Sequence, residues 1–222
     1  MDNRIDVLPG TSGRLIVGVA GWATGPAVFE RVFARDLRVV VTPFNPDTVV
    51  RDVIDWVRDA GIKVDQVVGF SMGVSLATHL GAELHIKCPV IGMGGNNGFD
   101  HRLISSITRL LDRAPDAYLR EFWRTAAGCK ADVDWALSAF EDVGWSVDAL
   151  KSGLNYLADH RWLSSELPVS LRLIHGELDA ISPIDVIAQA AQALKIPLER
   201  VAKVGHILTG PNSVEWLSGE IR

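Results

Sequence analysis

The stretch Gln66-Val67-Val68-Gly69-Phe70-Ser71-Met72-Gly73-Val74-Ser75-Leu76-Ala77 decides how this chain is read. Its first part is short, apolar and β-branched, the mark of a strand buried on both faces. From Met72 to Gly81 the pattern is that of a short helix. Gly69-x-Ser71-x-Gly73 therefore stands at a strand-to-helix junction. A serine at so sharp a turn takes a strained backbone conformation that lifts its Oγ clear of both elements. The flanking glycines let strand and helix approach without Cβ collisions. The helix N-terminus lies beneath any negative charge formed there. Ser71 is the candidate nucleophile, and the backbone N–H of Met72 is a candidate oxyanion donor.

Working outward, the same rhythm recurs. Apolar runs at Leu15–Ala20, Leu37–Thr42, Lys87–Met93 and Leu171–His175 read as further buried strands. Leu198–Lys203 reads as a weaker one whose charges suit a sheet edge. Helical spacing covers Asp47–Ala60, with Gly61 as a stop. Pro183–Leu194 starts with Ser182 as N-cap and Pro183 at the first helical position. A short helix is predicted over Val214–Ser218. Strands alternating with helices imply right-handed crossovers and a mostly parallel sheet flanked by helices. The rhythm breaks between about Gly98 and Leu167, where four amphipathic helices are predicted near 100–113, 115–127, 131–141 and 146–158. Residues 1–97 and 168–222 are thus expected to form the core, and 98–167 an inserted helical cap.

A serine hydroxyl is a poor nucleophile unless a neighbouring base takes its proton, and that base needs a third group to orient it. After the strand at 171–175 comes Gly176-Glu177-Leu178-Asp179, which places Asp179 in a loop at the carboxyl end of the sheet. Asp185, inside the next helix, and Glu177, close to the strand, are weaker rivals. Val204-Gly205-His206-Ile207 puts His206 in the loop after the last strand. His175 lies at a strand end near the site but precedes the acid. The order serine, acid, histidine is the one this chemistry takes on a strand–turn–helix scaffold. The turn Ala20-Gly21-Trp22-Ala23-Thr24-Gly25 after the first strand would supply a second oxyanion donor, the backbone N–H of Trp22.

Composition excludes other classes. With 22 Lys and Arg against 27 Asp and Glu, the net charge of −5 does not suit nucleic acid as a partner. Hydrophobic residues at 48% argue against disorder. No run approaches a membrane helix in length, and the polar start Met1-Asp2-Asn3-Arg4 does not resemble a secretory signal. Cys88 and Cys129 fit no zinc or redox spacing and read as reduced thiols of a cytoplasmic protein. The six histidines form no metal-binding pair, so neither metal nor cofactor is expected.

Taken together, the elbow, the acid loop, the histidine loop, the oxyanion turn and the cap resemble the α/β-hydrolase superfamily. Gly21-Trp22, Gly69–Gly73, the run Leu171–Pro183 and the cap stretch Gly153–Leu157 to Leu167–Val169 are similar to the pimeloyl-acyl-carrier-protein methyl ester carboxylesterases of biotin synthesis. That family carries His-Gly where this chain has Ala20-Gly21. The short N-terminus implies that an early strand pair of the fold is missing or reduced. The resemblance implies catalytic Ser71, Asp179 and His206, with Trp22 and Met72 in the oxyanion hole. It also implies a serine carboxylesterase acting through an acyl-enzyme on the methyl ester of a carrier-bound pimeloyl chain. A thioesterase, or a broad short-chain carboxylesterase, would use the same triad. The intact triad speaks against a non-catalytic binding protein of the same fold.

Within 101–130, Arg102, Arg109, Arg113, Arg120, Arg124 and Lys130 outnumber Asp112, Asp116 and Glu121. Arg109 and Arg113 share one helical face, as do Arg120 and Arg124. A basic cap on an acidic chain suits an acidic partner such as acyl carrier protein, and it would act mainly on the association rate. The cap is also rich in large apolar groups: Phe122, Trp123, Trp135, Phe140, Trp145, Tyr156 and Trp162. Most are expected in the core and a minority along an acyl slot.

Overall fold

The computed structural model describes residues 3–160, 167 and 169–211. Seven strands form one sheet: β1 (Ile5–Leu8), β2 (Leu15–Val19), β3 (Leu37–Val41), β4 (Gln66–Phe70), β5 (Val90–Met93), β6 (Leu171–Gly176) and β7 (Leu198–Val201). Their order is β1-β3-β2-β4-β5-β6-β7. Every pairing is parallel except β1 with β3. β2 and β4 are buried at every position, which is why they read as unbroken apolar runs rather than alternating ones.

Alternate residues feed two cores. Val17, Val39 and Val67 face one side with Val49, Val53 and Val57 of α2 (Val49–Asp59) and Leu76 and Leu80 of α3 (Gly73–Glu83). Ile16, Val40, Val68 and Phe70 face the other, against Phe29 of the one-turn helix α1 (Ala27–Glu30). Among the described residues, four helices lie between β5 and β6: α4 (His101–Arg113), α5 (Pro115–Ala127), α6 (Lys130–Phe140) and α7 (Val147–Asp159). Asp100 and Ser146 cap α4 and α7 with side-chain oxygens, and Gly128 ends α5 in the left-handed region. α8 (Ile184–Ala193) joins β6 to β7.

Three features differ from the sequence expectations. β1 and α1 are present although neither has a long enough pattern to be read, and β1 pairs antiparallel with β3 at the sheet edge. The strand expected from Lys87 begins only at Val90. Ser182 does not cap α8: Pro183 is the N-cap, and the Ser182 N–H donates to Asp179 instead. The predicted terminal helix at 214–218, Trp162 and Pro168 lie outside the described residues.

β4 is central, and the chain winds away from it on both sides. The loops after β2, β4, β6 and β7 all leave from the carboxyl edge of parallel strands, where open sheets of this kind form ligand crevices.

Candidate active site

Ser71 follows the last residue of β4 and has φ +54°, a left-handed conformation that side-chain-bearing residues rarely adopt. Its N–H is held by the Met93 carbonyl at 2.8 Å. The flanking glycines are sterically required. A Cβ on Gly69 would lie 2.4 Å from Val74 Cα, and one on Gly73 would lie 2.1 Å from the Val19 carbonyl oxygen.

Ser71 Oγ is 2.8 Å from His206 Nε2, and His206 Nδ1 is 2.7 Å from Asp179 Oδ2. A carboxylate only accepts, so Nδ1 carries the proton and Nε2 is free to receive one from the serine. The three side chains are buried. Asp179 Oδ1 accepts from the N–H groups of Ile181 at 2.8 Å and Ser182 at 2.7 Å. Burial pushes the Asp179 carboxyl upward. The charge of His206 and hydrogen bonds from His175 and His206 outweigh it and hold the group well below the usual carboxylate range. The rivals fall away from this centre: Glu177 and Asp185 are exposed.

The turn after β2 packs directly on the serine, since a Cβ on Gly21 would sit 2.9 Å from Ser71 Cβ. Among the described residues, neither the Trp22 N–H nor the Met72 N–H has an acceptor. Both N–H groups belong to the turns next to Ser71, the one after β2 and the one after β4. The turn is strained, with Ala23 at φ +55°, and it is held from several sides. Gly21 N–H donates to Thr24 Oγ1 at 2.9 Å. Three indoles tie it to the cap region. Trp22 Nε1 donates to Leu150 O on α7 at 2.7 Å, Trp123 Nε1 of α5 to Ala23 O at 2.8 Å, and Trp145 Nε1 to Thr24 O at 2.9 Å.

A cavity of about 240 Å³ opens over Ser71. Trp22, Ile107, Tyr118, Phe122 and Leu154 form much of its wall, and no described lining residue is charged. Leu103 of α4 lines it while remaining 49% exposed, so it stands at the mouth. Of the cap aromatics named from sequence, Phe122 lines the cavity, whereas Trp123, Phe140 and Tyr156 are buried. Sequence reasoning missed Tyr118 and the α4 residues Leu103 and Ile107. The available signal was the apolar stripe on α4 at 103, 104, 107, 110 and 111, whose spacing is the same whether it faces a core or a cavity.

The four arginines singled out in the cap are all exposed. Arg120 pairs with Glu141, and Arg124 with Glu121 at 3.4 Å. Arg109 donates along its own helix to Ser105 O at 3.2 Å and Ser106 Oγ at 3.3 Å. Among the described residues no group of three or more His, Cys, Asp or Glu side chains is placed to hold a metal ion. No helix among them is long and apolar enough to cross a membrane.

No protein-family model matches the chain, and no curated protein matches it in sequence. Solved structures do match. An esterase from Exiguobacterium antarcticum superposes with a TM-score of 0.79 at 14% identity, covering 99% of this chain and 94% of that one. A bromoperoxidase from Bacillus anthracis gives 0.79 at 15% identity, with coverage of 99% and 92%. An enol-lactonase from Burkholderia xenovorans gives 0.78 at 13% identity, with coverage of 99% and 94%. The chain has the α/β-hydrolase fold over nearly its whole length. At these identities the likeness establishes architecture and does not extend to substrate.

Proposed function

We propose that this protein is a serine carboxylesterase that hydrolyses medium-chain acyl esters through an acyl-enzyme. The observation that carries this reading is the hydrogen-bonded chain Ser71–His206–Asp179 at the floor of an uncharged cavity. Ser71 Oγ attacks the ester carbonyl carbon as His206 Nε2 takes its proton. The N–H groups of Trp22 and Met72 receive the oxyanion. His206 returns the proton to the departing alcohol and then takes one from the water that attacks the acyl-enzyme. Asp179 fixes the imidazole tautomer and stabilises the imidazolium.

The cavity, about 240 Å³ and walled by aliphatic and aromatic side chains, suits a hydrocarbon chain better than a charged group. Within this class, the methyl ester of pimeloyl-acyl carrier protein is the particular substrate implied by the sequence resemblance. The uncharged cavity suits its apolar chain, and exposed Arg109 and Arg113 share α4 with the mouth residue Leu103.

The test is a series of p-nitrophenyl esters from two to sixteen carbons, assayed on the wild type and on Ser71→Ala. Hydrolysis should peak near six to eight carbons. The variant should remain folded and lose about 10⁴-fold or more of kcat. Retained activity in the variant, or a wild type inert toward every ester, would sink the reading. Faster turnover of a carrier-bound thioester than of the methyl ester would move the assignment to a thioesterase.

A further inference from the structure

We propose that His175 is a positioning residue for the acid–base pair. Its Nε2–H is the fourth donor to the Asp179 carboxylate, shares Oδ2 with His206, and so moderates how strongly that carboxylate holds the His206 imidazolium. The inference rests on the serine-esterase reading and deepens it.

His175 lies near the end of β6 and is 0% exposed. Its Nε2 is 2.7 Å from the Ser182 carbonyl oxygen and 3.0 Å from Asp179 Oδ2. Both partners can only accept, so the proton sits on Nε2, donated to Ser182 O with Asp179 Oδ2 beside it. Nδ1 is buried without a partner. Burying a polar nitrogen that pairs with nothing costs free energy that an aliphatic side chain of similar size would not incur. The packing of β6 gives no reason for that cost. The other end of the ring gives one, because it is aimed at the acid.

A carboxylate offers about four lone-pair sites. Those of Asp179 accept from the N–H groups of Ile181 and Ser182 on Oδ1 and from His206 on Oδ2, with His175 Nε2 3.0 Å from the same Oδ2. Each donor withdraws charge from the carboxylate. The fourth therefore weakens the attraction between Asp179 and the imidazolium formed when Ser71 is deprotonated. An over-stabilised imidazolium would return its proton to the leaving alcohol more slowly. His175 also spans the acid loop from β6 to Ser182 and fixes the direction of the carboxylate. Among the described residues no lysine, arginine or further carboxylate pairs with His175, Asp179 or His206. The titratable groups that face Asp179 are these two histidines, and the other face of His206 meets Phe70 and Ser71.

The test compares His175→Leu with His175→Gln, whose amide nitrogen restores a donor near Nε2. The pH profile of kcat/KM on one medium-chain ester is the readout. In the leucine variant the acid limb should move upward by about 0.5–1 unit, and the glutamine variant should stay near the wild type. An acid limb that does not move in the leucine variant, or moves equally in both, overturns the proposal. Should the leucine variant not fold, ¹⁵N-histidine NMR of the whole protein decides. His175 should carry its proton on Nε2, and that proton should shift in Asp179→Asn. A proton on Nδ1, or an unmoved signal, overturns it. This arm requires no turnover, so it remains separable from the Ser71→Ala result.

Discussion

At the scale of single residues, the acid is the one most completely surrounded. Asp179 is buried, yet three hydrogen-bond donors reach it and His175 Nε2 lies 3.0 Å away. Its carboxyl is held low in the folded state, so it adds stability that is present above the unfolded carboxylate range and is lost progressively as pH falls from there toward the lowered folded value. Asp179→Asn should therefore narrow the difference in unfolding free energy between pH 6 and pH 3 by about 1 kcal/mol. Urea titrations at the two pH values would measure it, and an unchanged difference would refute the linkage. The same variant should lower kcat by about 10³–10⁴-fold through loss of the correct imidazole tautomer. Ser71, Asp179 and His206 are legible in the sequence because each lies just beyond an apolar run that ends in a glycine-containing turn. The second contact of His175 is not legible, since it depends on Ser182 turning its carbonyl back toward β6.

At the scale of elements, the turn after β2 and the helices above it form one unit. Trp123 and Trp145 donate to successive carbonyls of that turn, and Trp22 donates back to α7. Replacing Trp145 by Phe keeps a ring and removes one donor. It should lower kcat by about tenfold with little change in KM, since a misplaced oxyanion donor harms the transition state more than the ground state. A rise in KM with kcat unchanged would instead make the indole part of the substrate wall. The long buried strands and the four cap helices are legible from periodicity. β1 is not, because an edge strand with partly exposed residues has no continuous apolar run, and α1 is a single turn. Ser182 misleads because its sequence position satisfies the rule for a helix cap while its N–H is already committed to Asp179.

At the scale of the whole molecule, charge and apolar surface are unevenly placed. The chain carries −5, yet α4 presents Arg102, Arg109 and Arg113 beside Leu103 and Leu110, which are 49% and 46% exposed. If an anionic carrier docks there, Arg109→Glu with Arg113→Glu should cut kcat/KM on the carrier-bound ester by about tenfold at low salt. A small soluble ester should be unaffected, and the gap should shrink as ionic strength rises. Equal losses on both substrates would exclude a docking role. This surface is only partly legible, because sequence lists the charges but not the partners that neutralise Arg120 and Arg124. The three indole bonds also bear on how this scaffold can be re-engineered. Excising 98–167 to make a minimal hydrolase, or grafting in another cap, would strip Ala23 of the indole that holds its carbonyl and deprive Trp22 of its acceptor. A transplanted helical segment would need indoles at equivalent places to hold that turn in its strained conformation.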